Sequence, residues 1–286
     1  MKLLVFGRSG QVATELQALA GPSLTIEALG RDAADLSDPA ACAARIADTD
    51  ADAVINAAAY TAVDRAEEEE ALATTVNGAA PTAMAQAATA RNLPFLHLST
   101  DYVFAGTGTL PQAPTGPTAP QNAYGRSKLA GEEGITAAGG RSLILRTSWV
   151  FSAHGSNFVK TMLRLSETRT TLSVVADQIG GPTPARDIAE TLIALAQALI
   201  SGQAGGLYHY AGTPAVSWEC FARETFAQAG RTMEVSGIHT KDYPTPAKRP
   251  LNSRLDCASL QADFGITQPD WKAGLSRVII DLDTSA

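Results

Sequence analysis

Cysteine and histidine are both scarce in this sequence, with three cysteines and four histidines among 286 residues. The cysteines, Cys42, Cys220 and Cys257, are odd in number and far apart, and neither they nor the histidines have the close spacing of metal ligands. These absences speak against a disulfide framework and against a structural metal centre. We expect reduced thiols in a cytoplasmic protein.

Charged residues and long apolar runs are also few. Charged residues make up 18% of the chain and the net charge is −7. An acidic protein repels phosphate backbones, so we expect no nucleic-acid partner. The best apolar helix candidate, residues 191–200, has about half the length of a membrane span, and the apolar start of the chain is too short for a signal peptide. We expect a soluble protein without a membrane partner.

Short apolar runs alternate with alanine-rich stretches in the first half of the chain. The pattern predicts strands at residues 2–6, 24–29, 53–56, 94–98 and 142–146, and helices at residues 11–20, 39–47, 67–91 and 123–138. Strands that alternate with helices form βαβ units with right-handed crossovers. The sequence therefore predicts a Rossmann-type, doubly wound parallel sheet.

The alternation loosens after about residue 149. A strand at residues 172–175, helices at 184–199 and 217–229, and a strand at 207–210 precede a proline-rich segment at 244–250. We expect a Rossmann domain over residues 1–150 and a smaller mixed α/β lobe over residues 151–286. Segments at about 183–215 could pack back onto the first domain. Residues 106–121, rich in Pro, Gly and Thr, are expected to form a long surface loop.

The first strand runs directly into a glycine-rich turn with the spacing Gly-x-x-Gly-x-x-Ala, from Gly7 through Gly10 to Ala13. In a dinucleotide fold, Gly7 would permit the tight turn, and Gly10 would let the pyrophosphate approach the backbone at the amino end of a helix. A plain strand–turn–helix gives a similar pattern. The position of this turn, at the first strand–helix junction, favours a cofactor loop.

The second predicted strand ends in Gly30-Arg31-Asp32. Proteins that bind NAD place a carboxylate near this point for the ribose hydroxyls, whereas an arginine suits the 2′-phosphate of NADPH. We interpret Arg31 as a residue that favours NADPH, with NADH also accepted. The alternative is an arginine exposed to solvent, and Asp32 is the main objection to the NADPH preference.

Tyr124 and Lys128 are four residues apart, so both lie on one face of the predicted helix. A free tyrosine has a pKa of about 10, and we expect the Lys128 ammonium to lower the pKa of Tyr124 and make it a general acid. An exposed pair at this spacing is common by chance. Here Ser99 and Thr100 follow the fourth predicted strand, where a hydroxyl could bond both a substrate carbonyl and Tyr124.

Several ordered motifs together resemble the extended short-chain dehydrogenases/reductases. They are Gly7-x-x-Gly10, Asn-Ala-Ala-Ala at 56–59, Ser-Thr-Asp-Tyr-Val-Phe at 99–104 and Tyr-Gly-x-Ser-Lys-x-x-Gly-Glu at 124–132. Segments at 146–151, 157–162, 177–183 and 249–254 narrow the resemblance to the dTDP-4-dehydrorhamnose reductase family. The resemblance extends from residue 1 to about residue 280.

The resemblance implies transfer of a hydride from NADPH or NADH to C4 of dTDP-4-dehydro-L-rhamnose, with the smaller lobe binding the substrate. It implies that Tyr124 is the proton donor, assisted by Lys128 and Thr100. Residues with an implied role at the sugar nucleotide are Thr100, Asp101, Trp149 and Arg249. Pattern and resemblance together predict cofactor contacts at Gly7, Ser9, Gly10, Gln11, Val12, Arg31, Asp35, Leu36, Ala57, Ala58, Ala59, Tyr60, Thr61, Leu98, Ser99, Tyr124 and Lys128.

One position departs from the family pattern. Some relatives hold Mg²⁺ at a dimer interface with three acidic groups, and Glu15 and Asp281 match two of them, but Arg186 stands where the third is expected. An arginine opposes a cation electrostatically. We therefore expect no metal, and a monomer or a homodimer.

Two other functions remain open from the sequence. One is the reduction, or epimerisation with reduction, of a different nucleotide-linked 4-keto-6-deoxysugar. The other is a non-catalytic, cofactor-binding regulatory subunit of the same fold, although relatives of that kind tend to lose the Tyr or the Lys. Two further features are expected to be structural: the acidic run at 67–70 begins a helix and stays solvated, and His97 packs in the core.

Overall fold

The computed structural model describes residues 1–284. The strands are, in chain order, β1 (Lys2–Phe6), β2 (Thr25–Leu29), β3 (Ala53–Asn56), β4 (Phe95–Thr100), β5 (Ser142–Thr147), β6 (Val150–Phe151), β7 (Thr171–Val175), β8 (Ile179–Gly180), β9 (Thr183–Pro184), β10 (Gly206–His209), β11 (Val216–Ser217), β12 (Glu234–Ile238) and β13 (Asn252–Ser253). The α-helices are α1 (Gln11–Ala18), α2 (Pro39–Ala47), α3 (Glu70–Thr74), α4 (Ala80–Ala90), α5 (Ala123–Ala138), α6 (Phe158–Ser166), α7 (Ala185–Ile200), α8 (Trp218–Gln228), α9 (Ala258–Phe264) and α10 (Trp271–Thr284).

The central sheet has six parallel strands in the order β10-β5-β4-β3-β1-β2. From β1 the chain first moves outward to β2 and then returns to place β3 on the other side of β1. The switch point therefore lies between β1 and β3, and ligands of open α/β sheets bind at the carboxyl ends of the strands beside such a point. The Rossmann-type α/β fold expected from the sequence is confirmed.

Helices cover both faces of the central sheet, which is why its inner strands are buried on both sides and mainly apolar. On one face, Leu16 of α1 and Leu192 of α7 belong to the same buried cluster. On the other face, Ile46 of α2, Met84 of α4 and Ile135 of α5 form a second cluster. Because α7 and β10 follow the short strands after β5, this late part of the chain completes the central sheet and its cover.

The rest of the chain forms a smaller mixed unit. Strands β7 and β12 are parallel neighbours, and β8 lies between β11 and β13. Helices α6, α8 and α10 pack through aromatic side chains, with Phe221 against Phe151, Phe158 and Trp271 at centroid distances of 5.2, 5.3 and 5.3 Å. The sequence pattern did not predict α6, α9, α10 or β12.

The helix expected over residues 67–91 is divided into shorter pieces. A 3₁₀ turn at Arg65–Glu67 comes first, followed by α3, a π-helical turn at Thr75–Ala79 and then α4. Insertions of this kind are common at functional sites. The π turn places Asn77 against α5.

No helix in the described part of the chain is long and apolar enough to cross a membrane.

The close packing of α5 on the π turn yields a stability prediction. A Cβ on Gly131 would overlap the backbone carbonyl oxygen of Asn77. Alanine gains about 1 kcal/mol over glycine in a helix, but overpacking against backbone costs about 1–3 kcal/mol. We expect Gly131→Ala to lower the free energy of unfolding by up to about 2 kcal/mol in a urea titration. Glu133→Ala, at an exposed site on the same helix, is the control, and equal stability of the two variants would contradict this packing argument.

Candidate active site

The carboxyl ends of β1, β3 and β4 open into a cleft of about 580 Å³, which we term the first cleft. Its lining includes nearly all the cofactor residues expected from the sequence: Gly7, Ser9, Gly10, Gln11, Val12, Arg31, Asp35, Leu36, Ala57, Ala58, Ala59, Thr61, Leu98, Ser99, Tyr124 and Lys128. Tyr60 is the exception. The fold thus brings together residues that are more than a hundred positions apart in sequence.

The glycine-rich turn forms one end of the first cleft. Gly7 has a φ of +114°, a conformation that favours glycine, and its Cα side lies against the backbone of Ala57 and Ala58. Gly10 is the N-cap of α1, and no side chain caps this helix. The first amides of α1 are therefore free to bind an anion such as a pyrophosphate.

Beside this turn, two arginines line the first cleft. Arg8 binds Asp32 through an ion pair of 2.9 Å, and this bond lowers the pKa of Asp32. Arg31 lies next to Asp35 and Leu36 along the same cleft. Sequence reasoning overlooked Arg8, whose position inside the glycine motif was the available signal. Because Arg8 binds Asp32, the main objection to an anion-binding Arg31 is weakened.

Asn77 holds the segment after β3 in place. Its Oδ1 accepts from the Tyr60 amide at 2.8 Å, and its Nδ2 donates to the Tyr60 carbonyl at 3.0 Å and to Ser127 Oγ on α5 at 2.9 Å. The Tyr60 hydroxyl donates to Glu69 at 2.7 Å, away from the cleft lining. Asn77 was missed from sequence, since only the π turn brings it inward.

Tyr124 lies at the inner end of the first cleft, on the first turn of α5. Burial raises the pKa of Tyr124 to about 12, the hydrogen bond from Thr100 acts in the opposite direction, and the nearby Asp101 raises it further. In this arrangement Lys128 is not among the groups that shift the pKa of this phenol. The phenol keeps its proton throughout the neutral range and is available as a proton donor.

Lys128 does not shift the pKa of Tyr124 because of the direction of its side chain. Lys128 Nζ lies 2.7 Å from the Leu98 carbonyl oxygen and 3.0 Å from His97 Nε2, on the sheet side of α5. Burial lowers the pKa of Lys128 to about 8. The lysine still lines the first cleft one helical turn after Tyr124, so both side chains face the same space.

Of the two hydroxyls at the end of β4, that of Ser99 faces away from Tyr124. It donates to Glu132 Oε1 at 2.5 Å, and Arg146 donates to both oxygens of the same carboxylate. Arg146 also donates to the Pro114 carbonyl, which ties down the loop after β4. The hydroxyl beside Tyr124 is that of Thr100.

A second cleft of about 440 Å³ adjoins the first. Tyr102 lines it, and the Tyr102 ring contacts the Tyr124 ring edge to face at 5.5 Å, so the clefts meet at this pair. Arg249 also lines the second cleft and donates to Asp64 Oδ2 at 2.7 Å. Arg169 and Trp218 supply a further cation and an aromatic face, and neither was singled out from the sequence.

Trp149 has an unusual backbone conformation, with a φ of +49°. Its indole stacks on Trp218 at a centroid distance of 3.5 Å and an interplanar angle of 10°. A Cβ on Gly180 would overlap the same indole, so glycine is needed there. Trp149 is not among the lining residues of either cleft, and its face supports Trp218, which does line the second cleft.

Asp101 is buried between β4 and α5. It bonds to Thr100 and Ser253, and burial raises the pKa of Asp101 to about 6. Its Oδ2 atom is buried and has no hydrogen-bond partner among the described residues. A buried acceptor without a partner is costly, so a bound polar group here would be stabilising.

The acidic run at 67–70 is more than a solvated face. Glu67 accepts from the Ala123 amide at 2.7 Å and thus contacts the start of α5, while Glu69 bonds to Tyr60. Glu70 binds Arg126 through two hydrogen bonds of 2.7 and 2.9 Å. The run stays solvated as expected, with Glu67 and Glu68 exposed, and in addition Glu67 and Glu70 tie α5 to the start of α3 and the turn before it.

The residues weighed as metal ligands lie apart from the clefts. Glu15 lies 3.3 Å from His154 Nε2 and 3.9 Å from Arg186, while Arg186 donates to Glu190 at 2.8 Å. Within residues 1–284, no group of three or more His, Cys, Asp or Glu residues could hold a metal ion.

Comparisons with known proteins agree with this geometry. The family model of the RmlD substrate binding domain matches residues 1–284. The chain is 43% identical to the dTDP-4-dehydrorhamnose reductase of Sinorhizobium fredii, over 98% of this chain and 97% of the relative. A crystal structure of a dTDP-4-dehydrorhamnose reductase from Clostridium acetobutylicum superposes with a TM-score of 0.93 and 34% identity, covering 99% of this chain and 100% of that chain.

A crystal structure of the dTDP-4-dehydrorhamnose reductase from Bacillus anthracis, in complex with NADP, gives a TM-score of 0.92 at 32% identity, covering 98% of this chain and 99% of that chain. Sequence identity, the family model and the fold agree over nearly the whole length. The resemblance noted in the sequence is thereby confirmed. The chain belongs to the dTDP-4-dehydrorhamnose reductase family.

Proposed function

We propose that this protein reduces the C4 keto group of dTDP-4-dehydro-L-rhamnose with NADPH and yields dTDP-L-rhamnose. The observation that carries the proposal is the first cleft, which runs from the uncapped amino end of α1 to Tyr124 and Lys128. A pyrophosphate anchor and a proton donor therefore share one space. The membership of the chain in the reductase family, and the NADP complex of the Bacillus anthracis relative, support the same assignment.

The residues of the first cleft fit a dinucleotide. The glycine turn and the free amides of α1 suit the pyrophosphate, the small side chains of Ala57 and Ala58 leave room beside β3, and Arg31 suits a 2′-phosphate. When bound, the dihydronicotinamide supplies the hydride that C4 accepts. The protein supplies position, exclusion of water and the proton.

Tyr124 provides that proton. As C4 gains the hydride, its carbonyl oxygen becomes an alkoxide-like base, and the proton on Tyr124 Oη moves to it to give the C4 hydroxyl. The raised pKa of Tyr124, about 12, keeps the phenol protonated until that moment. Thr100 bonds to the phenol and favours the phenolate that remains.

Lys128 stabilises this phenolate. Its ammonium, turned into the cleft, would attract the negative charge and bond the ribose hydroxyls of the cofactor. The pKa of Lys128, about 8, leaves the charged form well populated at neutral pH. Tyr124 and Lys128 then act as one unit on a single face of α5.

The second cleft suits the nucleotide-linked sugar. Arg249 and Arg169 provide positive charge for a diphosphate, and Trp218 offers an aromatic face. Asp101 lies between Thr100 and Tyr102 in sequence, and its unpartnered Oδ2 would accept a bond from a sugar hydroxyl. Trp149 would then act on the sugar nucleotide through Trp218, on which it stacks.

Three further assignments belong to this proposal. We assign cofactor binding to residues 1–150, with α7 and β10 completing that unit, and substrate binding to the rest of 151–286. The free thiols of Cys42, Cys220 and Cys257 suit the cytoplasm. We expect a monomer or a homodimer without bound metal.

The proposal is tested by offering the purified protein dTDP-, UDP- and GDP-linked 4-keto-6-deoxysugars with NADPH and following the loss of dihydronicotinamide absorbance. We expect the highest kcat/KM with dTDP-4-dehydro-L-rhamnose. A higher value with another sugar would assign that substrate instead. Cofactor binding without turnover of any sugar would identify a regulatory subunit and refute the proposal.

The role of Tyr124 gives the first catalytic prediction. Tyr124→Phe removes the donated proton and should lower kcat by about 10²-fold or more, with the Kd for NADPH nearly unchanged. Tyr208→Phe is the matched control, because Tyr208 is a buried tyrosine whose hydroxyl bonds Asp263 far from either cleft. Turnover of Tyr124→Phe within a few-fold of the parent would remove this tyrosine from the mechanism.

Arg31 determines the predicted cofactor preference. Two charge-assisted bonds to a 2′-phosphate, after desolvation and ordering, would favour NADPH by about 1.4–2.8 kcal/mol, or about 10- to 100-fold in kcat/KM. Arg31→Ala should bring the NADPH/NADH ratio close to one. Arg45→Ala, at an exposed arginine on α2, should leave the ratio unchanged. A parent ratio near one would show that Arg31 does not bind the phosphate.

Trp149 gives a prediction on both stability and binding. Trp149→Ala removes the stack on Trp218 and should lower the free energy of unfolding by about 2–4 kcal/mol, since large-to-small changes in packed aromatics cost this much. The KM for the sugar nucleotide should rise because Trp218 loses its support. Trp149→Phe should restore most of the stability. An unaltered melting temperature would contradict the stacking account, and an unaltered KM would contradict the link to substrate.

A further inference from the structure

A row of three buried polar side chains lies behind the first cleft. Asn56 ends β3, His97 lies in β4, and Lys128 extends from α5 towards them, all with 2% exposure or less. Asn56 Nδ2 lies 3.1 Å from His97 Nδ1, and His97 Nε2 lies 3.0 Å from Lys128 Nζ. Each hydrogen bond in such a row needs one donor and one acceptor, so the direction of one bond determines the next.

A backbone hydrogen bond determines which way the side-chain amide of Asn56 is turned. The Ala58 amide donates to Asn56 Oδ1 at 3.1 Å, and a backbone N–H can only donate. This bond identifies the oxygen of the Asn56 amide, so the NH₂ group must face His97. Exchanging the two amide atoms would place two donors against each other in the interior.

The Asn56 amide in turn sets the tautomer of His97. Burial lowers the pKa of His97 well below its usual value, so the ring is neutral. A neutral imidazole has one donor and one acceptor nitrogen. Because Nδ1 accepts from Asn56, the ring proton lies on Nε2, the nitrogen that faces Lys128.

The contact between His97 Nε2 and Lys128 Nζ is a hydrogen bond only if Lys128 is a neutral amine. Lys128 Nζ donates to the Leu98 carbonyl at 2.7 Å, and an ammonium has no lone pair to accept from His97 Nε2–H. A neutral amine can accept from His97 and still donate to Leu98. We propose that His97 is a positioning residue that holds Lys128 as a neutral amine in this arrangement, and that Lys128 leaves His97 for the cleft when it is protonated.

The other charged and titratable groups around Lys128 do not remove this requirement. Glu132, one turn further along α5, favours the ammonium, but Arg146 from β5 binds both oxygens of that carboxylate. Tyr124, one turn earlier, is a neutral phenol. The balance of these groups and of burial agrees with the lowered pKa of Lys128, about 8.

This inference rests on the proposed function for its catalytic consequence alone. If Lys128 stabilises the Tyr124 phenolate, then the rate falls as pH rises through the pKa of Lys128 and the ammonium is lost. His97 thus shifts the alkaline limb of the rate profile to lower pH. A lysine held in this way can exchange a proton with the cleft close to neutral pH.

The protonation states can be measured in the parent protein without any turnover. With ¹⁵N-labelled histidine, we expect Nδ1 of His97 to resonate as an unprotonated nitrogen and Nε2 as a protonated one. With ¹³Cε-labelled lysine, Lys128 should titrate at least one pH unit below an ordinary lysine, whose pKa is about 10.4. A proton on His97 Nδ1, or a Lys128 that stays charged up to the ordinary range, would overturn the proposal.

His97→Gln tests the link to catalysis, because the glutamine amide can turn its oxygen to Lys128 and accept from the ammonium. We expect the alkaline limb of kcat to move up by about one pH unit or more, with the Lys128 titration moving in parallel. His209→Gln is the control, since His209 is another buried histidine of the same sheet and contacts Arg146 instead of Lys128.

The two hypotheses fail in different ways. A shifted Lys128 titration with an unmoved kcat limb would keep His97 as the positioning residue and remove Lys128 from the rate-limiting chemistry. An equal shift in His97→Gln and His209→Gln would show a general effect of losing a buried imidazole, and would overturn the proposal. Absence of reductase activity in the parent would refute the proposed function, while the labelled spectra would still test His97.

Discussion

Glu132 on α5 and Arg146 on β5 form an ion pair in the interior, with side chains 5% and 3% exposed, and the placement of the site depends on it. Glu132 also accepts from Ser99 of β4, so one carboxylate joins α5 to two neighbouring strands. Removing either partner of such a pair leaves a buried, uncompensated charge, which costs about 3–5 kcal/mol. Because Tyr124, Lys128 and Glu132 follow each other at four-residue intervals, fixing the last of them fixes the face of α5 that bears the other two.

Helix α5 is also fixed by hydrogen bonds from the segments that precede it. Glu67 bonds to the amide of Ala123 at the start of α5, and Asn77 on the π turn bonds to Ser127. The close approach of Gly131 to the π turn lets these polar contacts form. Several independent bonds therefore orient a single helix face towards the switch point of the sheet, where an open α/β fold binds its ligands.

Much of the fold, and most of the residues that line the first cleft, could be predicted from the sequence, because they follow from local periodicity and short motifs. The strand–helix alternation predicted the first five strands of the parallel sheet, and the glycine turn and the Tyr124–Lys128 spacing identified residues that line the first cleft. The directions in which side chains point could not be predicted in the same way. Whether Lys128 faces the phenol or the sheet depends on His97 and the Leu98 carbonyl, and no local pattern records that choice. For the same reason the hydrogen bond from Ser99 to Glu132, 33 positions later in the sequence, was not predicted.

The central claim is direct reduction at C4 of the sugar. NADPH that carries deuterium at the transferred position of the dihydronicotinamide should be incubated with the protein and dTDP-4-dehydro-L-rhamnose, and the product examined by NMR. The account predicts one deuterium on C4 of the product sugar, with the hydroxyl proton drawn from Tyr124 and ultimately from solvent. A product without deuterium at C4, or with the label at another carbon, would contradict it.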